Sequence, residues 1–354
     1  RMRCQVGLSM PLSRSVRPLT IMMWAAAGRK ECITMTTGTW QADSSGRKRP
    51  WLTLERHEAI LGYAYISPWI IGYLVFAFGP VLASLYLSLT TFALIQPPRF
   101  TGLANYARIT TDPTFWKSLE NTLYYTAIAV PVGVTGSLLC AMLLNGRIRG
   151  RALFRTIFFL PSVTPIVAAM MLWIWIFNPQ VGLINYLLSL IGIDGPGWFA
   201  SPTWSKPALI IIGLWGSVGG GTMLIFLAGL QGVPIELHEA AEIDGAGSWS
   251  RFWRVTLPLL TPTIFFSLVM GIIGALQLFS SAYVASSGAH SVGGPSQSTL
   301  FYVLNLYKYA FMYWEMGYGS ALAWVFFFMV LLLTYLQLRM ARSWVYYETQ
   351  SGGI

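Results

Sequence analysis

Apolar residues fill long unbroken stretches of this chain, and the polar ones collect in the gaps between them. Six stretches, residues 64–89, 122–144, 157–177, 208–230, 263–284 and 317–338, contain no Asp, Glu, Lys, Arg or His. A helix of about 20 apolar residues crosses the roughly 30 Å of hydrocarbon in a bilayer. Helices and closed barrels alone satisfy every backbone hydrogen bond there. The pattern therefore predicts an all-α membrane protein with six transmembrane helices. Pro68, Pro80, Pro131 and Pro165 fall inside these spans, where each removes a helical hydrogen bond. They predict kinks that neighbouring helices tolerate. The fourth span carries Gly216, Gly219, Gly220 and Gly221 around Trp215 and Ser217. Two readings stand for it: close helix packing at small residues, or a locally unwound stretch lining a path.

The gaps are patterned too. Residues 100–122 mix Tyr106, Phe115 and Trp116 with Asp112 and Pro113, as an interfacial helix would, and residues 182–198 form another such segment ending at Trp198. Gly293, Gly294 and Pro295 mark a turn before the sixth span.

Composition agrees with lipid as part of the solvent. The chain is 55% hydrophobic and only 10% charged, whereas soluble domains carry about 25% charged residues. Its 15 Trp, 17 Tyr and 20 Phe suit membrane interfaces, where aromatic rings gather. A net charge of +10 would suggest nucleic acid if it formed a patch on a soluble fold. Here the basic residues sit in short gaps, so they read as a topology signal and no nucleic-acid partner is expected. Eighteen Lys and Arg lie in the N-terminal tail and in the gaps after spans two, four and six, against five in the alternate gaps. The positive-inside rule then predicts both termini in the cytoplasm and a multi-pass protein of the cell membrane.

Cys4, Cys32 and Cys140 are too scattered for a disulfide framework or a zinc site. Cys140 lies in a span as a small core residue, and neither a metal nor a cofactor is expected. Residues 19–27 are apolar but too short to cross a bilayer. Basic residues precede them, as in a signal peptide, without a convincing small-residue cleavage site. Translation is expected to start at Met35, with residues 1–34 as upstream sequence read as protein. The expected organisation is a cytoplasmic tail over 1–59, a six-helix transmembrane domain over 60–340 with a cytoplasmic loop at 231–258, and a cytoplasmic tail over 341–354.

That loop is the most informative part of the chain. Pro234 suits the first turn of a helix, and Glu236 and Glu239 suit its positive end. Leu237, Ala240, Ala241 and Asp244 recur at helical spacing and form one narrow face. Gly245 suits the stop, because it takes the left-handed conformation at no steric cost. Ser248 can cap a second short helix with a bulky stripe of Trp249, Phe252 and Trp253. Pro258 and Pro262 are expected to break the chain before span five. The result is a helix–turn–helix outside the bilayer, either a knob for a groove on another protein or a hairpin that caps the bundle.

The segment resembles the EAA loop of permeases from binding-protein-dependent ABC importers. The Glu-Ala-Ala of that loop stands here as Glu239, Ala240 and Ala241, its Gly as Gly245 after Asp244, and its closing Leu-Pro as Leu257 and Pro258. GLANY at 102–106, GLINYLL at 182–188 and GGP at 293–295 with Thr299 beyond it also match, so the likeness covers roughly residues 60–340. It looks most like the carbohydrate-type permeases, for maltose, trehalose, other oligosaccharides or glycerol 3-phosphate. The resemblance implies the type I importer permease fold and a coupling helix that docks into a cleft on a dimer of cytoplasmic ATP-binding subunits. Glu239 would make the polar contact, Ala240 and Ala241 would allow close approach, and Gly245 would form the turn. It also implies a second permease subunit, in a homodimer or, as is usual for the carbohydrate type, a heterodimer, and an extracytoplasmic solute-binding protein. The chain has no GxxxxGK[ST] loop to cradle phosphates, so ATP hydrolysis falls to a partner.

A neutral sugar calls for aromatic faces and a few hydrogen-bonding side chains, with no buried charge. Trp215, Ser217, Gln277, Phe279, Ser280, Ser281 and Tyr283 are the candidates in spans four and five. Packing is the competing role for Trp215 and Phe279, whereas the Gln277 amide needs a partner in hydrocarbon. In the maltose permease the sugar-binding positions fall in these two spans, but its asparagines are largely replaced here by Gly274, Ala275 and Leu278.

Two rival readings are less well served. Proton-coupled secondary transporters of neutral solutes place acidic or His residues in their spans; this chain has none, although a sodium site built from carbonyls would leave no such signature. A membrane enzyme would need nucleophiles or metal ligands at depth, and His57, His238 and His290 lie far apart in the gaps.

Overall fold

The computed structural model describes residues 54–93, 96–146, 149–287 and 292–346. The expectations for the N-terminal tail, Met35, Cys4, Cys32, Arg147, His290 and residues 347–354 lie outside the described residues. The chain divides into two compact units, Arg1–Ile70 and Ile71–Ile354. In the first unit, the described residues belong to helix Leu54–Tyr73, with Pro68 inside it. The second unit holds the remaining helices and one two-residue antiparallel pair, Thr90–Thr91 with Arg99–Phe100.

Four helical segments are long and apolar enough to cross a membrane: Glu58–Ser88, Pro113–Asn145, Ser248–Ser286 and Met316–Trp344. Among the described residues the total is six when each of two bent pairs is taken as one span, Arg151–Val163 with Ile166–Ile176 and Ser205–Ser217 with Gly221–Gln231. Large apolar side chains such as Phe76, Leu139, Trp175, Phe328 and Leu332 stand on the outside of these helices. In water that would be costly; against acyl chains it is not.

The second span starts earlier than expected and runs for 33 residues, about 50 Å at 1.5 Å per residue. Asp112 accepts the Thr114 amide at 2.8 Å and Pro113 occupies the first turn, a complete start signal. Lys117 and Glu120 pair on its first turns, outside the apolar window. This helix is the central one. Its inner face, including Tyr125, Val130, Val134 and Ala141, packs with Met223, Phe226 and Leu227 of the fourth span and with Leu260 and Ala275 of the fifth.

The third span is not the single helix expected over 157–177. Its halves meet at Thr164–Pro165 with a 96° bend. A residue before proline is pushed to extended backbone, and Thr164 sits there at ψ 129°, so Pro165 ends one helix instead of kinking it. Pro80 behaves differently. A π-turn at Leu74–Phe78 precedes it, with the Gly79 amide bonded to the Leu74 carbonyl, and the widened ladder accommodates the ring. The fourth span combines close packing with a local break. It breaks by 46° between Ser217 and Gly221, and Gly219 lies against the Phe158 carbonyl where a Cβ would collide.

The connecting segments are sewn down by side-chain amides. Asn105 of the GLANY motif donates to the Ser88 and Thr90 carbonyls, both at 2.8 Å. Asn185 of GLINYLL donates to the Pro179 and Pro196 carbonyls and accepts the Trp198 indole at 2.6 Å. Gly293 and Gly294 make the expected turn at positive φ. An unforeseen helix, Tyr302–Tyr307, then follows before the sixth span.

Candidate functional site

The loop between spans four and five folds as a hairpin. Its first helix is Ile235–Ile243, with Pro234 at the N-cap and Glu236 in the first turn; Glu239 lies past that turn. The helix stops in a Schellman arrangement. The Ala246 amide reaches back to the Ala241 carbonyl at 2.9 Å, and the Gly245 amide to the Glu242 carbonyl at 3.0 Å. Gly245 takes φ +77°, and no atom lies where a Cβ would point. Backbone conformation alone therefore selects glycine here.

The second helix begins at Ser248, but Gly247 holds the N-cap position with no side-chain cap bond. The Ser248 hydroxyl instead accepts a long 3.5 Å contact from Arg251. Pro258 and Pro262 do not break the chain. A π-turn at Phe252–Thr256 opens the ladder just before Pro258, and helix Leu257–Leu276 continues through both prolines. The hairpin is therefore continuous with the fifth span through Leu257 and Pro258. Arg251 braces the two helices with a 2.7 Å ion pair to Glu242.

What the hairpin lacks is a cover. None of Ile235–Ile243 is buried. Ile243 is 87% exposed and Trp249 75%, with Ile235 and Trp253 also in the open. Glu239, Ala240, Asp244 and Gly245 are exposed, and Ala241 is half-buried. Trp249, Phe252 and Trp253 gather with ring centroids 5.6–6.2 Å apart.

The candidates for a solute path separate into four places. Ser217 lines a cavity of about 190 Å³ between spans two, four and five, with Tyr125, Gly133, Thr222, Ser267 and Leu278 among its other walls. Its lining carries no charge, and the Ser267 hydroxyl is buried without a partner. Trp215 meets Trp173 edge-to-face at 5.6 Å. Phe279 stacks on Tyr283 at 5.6 Å, and Tyr307 closes the group at 5.1 and 5.7 Å. Gln277 is exposed at the end of helix Leu257–Leu276. Sequence reasoning passed over Tyr125, Ser267 and Tyr307. The spacing of Ser267, Gly271, Gly274 and Leu278 along one helical face was a usable signal for the cavity.

Apolar helical spans, some continuous and some broken, with an exposed hairpin between two of them, define a multi-pass membrane protein. The chain belongs to the family of binding-protein-dependent transport system inner membrane components, whose sequence model matches residues 133–344. It is 43% identical over 298 residues to the probable ABC transporter permease protein YesP of Bacillus subtilis (strain 168), across 83% of this chain and 94% of that one. It is 38% identical over 295 residues to the lactose transport system permease protein LacF of Rhizobium radiobacter, across 82% and 97%. The fold is that of a solved bacterial ABC transporter involved in the import of the acidic polysaccharide alginate, with TM-score 0.71 and 24% identity, over 82% of this chain and 97% of that one.

Proposed function

We propose that this chain forms one half of the path by which an ABC importer carries a sugar across the inner membrane. The hairpin at 231–258 faces the cytoplasm with both termini and docks into a separate ATP-binding subunit, one of a pair. A second permease completes the path, and a solute-binding protein delivers the sugar from the other side. The uncovered hairpin carries this reading: Ile243 and Trp249 stand exposed beside the Glu239-Ala240-Ala241 face. Large apolar side chains gathered on a projecting surface favour docking into a groove. The uncharged cavity and the similarity to a lactose permease favour a neutral sugar.

Reconstitution tests it. In proteoliposomes with the ATP-binding subunits, partner permease and binding protein, sugar uptake is expected to require ATP and to survive collapse of proton and sodium gradients. Uptake abolished by an ionophore while ATP is present would instead make this an ion-coupled secondary transporter.

A further inference from the structure

A second cavity, of about 270 Å³, lies beneath the hairpin, between it and the ends of spans two and four. Its polar lining is Asn145, His238, Ser248, Arg251 and Thr256, with Phe252 on an apolar wall. The space far exceeds the roughly 10–15 Å³ that admits one water. Thr256 is only 7% exposed, it lines this cavity, and no hydrogen bond from its hydroxyl occurs among the described residues. The imidazole of His238 and the amide of Asn145 also lack hydrogen bonds among the described residues.

The lining is donor-rich. Arg251 gives one terminal nitrogen to Glu242 at 2.7 Å and the other a long 3.5 Å contact to Ser248, and no carboxylate belongs to the lining. Arginine's planar fork suits phosphate oxygens, which take charge-assisted hydrogen bonds. Hydroxyl, amide and imidazole groups can supply the remaining contacts. The volume lies just below that of drug-sized pockets, which suits a small ligand.

We propose that the cavity under the coupling hairpin is a binding site for a phosphate group, as the free anion or as a small phosphate ester. Its location gives the ligand a mechanical role. A phosphate held by Arg251 and Thr256 on one side and Asn145 on the other ties the hairpin to the end of span two. Movement of the hairpin against the bundle would then depend on cytoplasmic phosphate or phosphorylated sugar. This assignment rests on the hairpin being the coupling element, but its test does not.

The intact chain in phosphatidylcholine nanodiscs is titrated with inorganic phosphate, hexose 6-phosphate, sulfate and unphosphorylated hexose. Thermal unfolding and the fluorescence of Trp249 and Trp253 are followed. Saturable stabilisation by phosphate or its ester at millimolar concentration is expected, and the tighter of the two identifies the source. Loss of one hydrogen bond to a charged ligand predicts about tenfold weaker binding in Thr256→Val and in His238→Gln. Both variants are expected to unfold near the parent temperature in anion-free buffer. No saturable effect in the parent chain overturns the proposal. So does an equal effect from unphosphorylated hexose, or undiminished binding in both variants. Failure of ATP-driven uptake with phosphate binding intact would instead count against the coupling role.

Discussion

The segment Gly102–Asp112 and the hairpin Ile235–Arg251 are both short helical excursions between spans, yet one is finished by its own chain and the other is not. In the first, Asn105 is buried and doubly bonded, and the Tyr106 hydroxyl meets Ser88 at 2.9 Å. Arg108 pairs with Glu315 at 2.7 Å and lies 4.2 Å over the Tyr318 ring. Asp112 accepts the Tyr318 hydroxyl at 2.8 Å and the Tyr309 hydroxyl at 3.1 Å, besides capping the second span. The hairpin has a Schellman turn and one ion pair, and presents Ile243 and Trp249 to solvent. The contrast separates two uses of sequence. Residues of the first segment specify how spans one, two and six meet, whereas those of the hairpin leave an apolar surface exposed.

The sharpest way to break this contrast is Gly245→Val. A left-handed backbone costs an L-residue roughly 1–2 kcal/mol, and β-branching makes it worse. Nothing crowds the site, so the loss stays within the turn. ATP-driven uptake in the reconstituted system is expected to fall at least tenfold, with membrane insertion and unfolding temperature little changed. Normal uptake would show that the hairpin is only a cap.

The complementary change is Asn105→Ala in the finished segment. It leaves the buried Ser88 and Thr90 carbonyls without their amide donor, a penalty of about 1–3 kcal/mol. Thermal unfolding in detergent should move down by a few degrees, while assembly with the ATP-binding subunits is retained. The reverse pattern, intact stability with lost assembly, would erase the distinction between the two regions.

The smallest effect concerns Asp112. Burial raises its pKa, but the hydrogen bond from Tyr318 and the amide of Thr114 outweigh burial and hold the carboxyl below the ordinary carboxylate range. Its contribution to stability is therefore complete above the unfolded value of about 3.9. It is lost as pH falls through the lower folded value. The difference in unfolding temperature between the parent and Asp112→Asn should be constant from neutral pH to about 5 and shrink below about 4. A difference that grew on acidification would contradict the network.

Much of the fold was legible because lipid imposes a one-dimensional rule. A segment without charge and about 20 residues long must become a helix, wherever its neighbours lie. The hairpin was equally legible at Gly245, because a helix stop followed by positive φ is a local backbone requirement. Local rules misjudged the prolines. Whether Pro80, Pro165 or Pro258 bends, ends or merely decorates a helix depends on whether a π-turn opens nearby, and that depends on packing.

The sequence by itself thus determined the number of apolar stretches, the helical class and the shape of the projecting turn, all consequences of composition and backbone sterics. Only the tertiary structure decided that Ser217 and Ser267 share one cavity, that Trp215 meets Trp173, and that Asn145, His238 and Thr256 surround another space. Those groupings join residues far apart in the chain through crossing helices. No periodicity along one helix encodes which face of another it will meet.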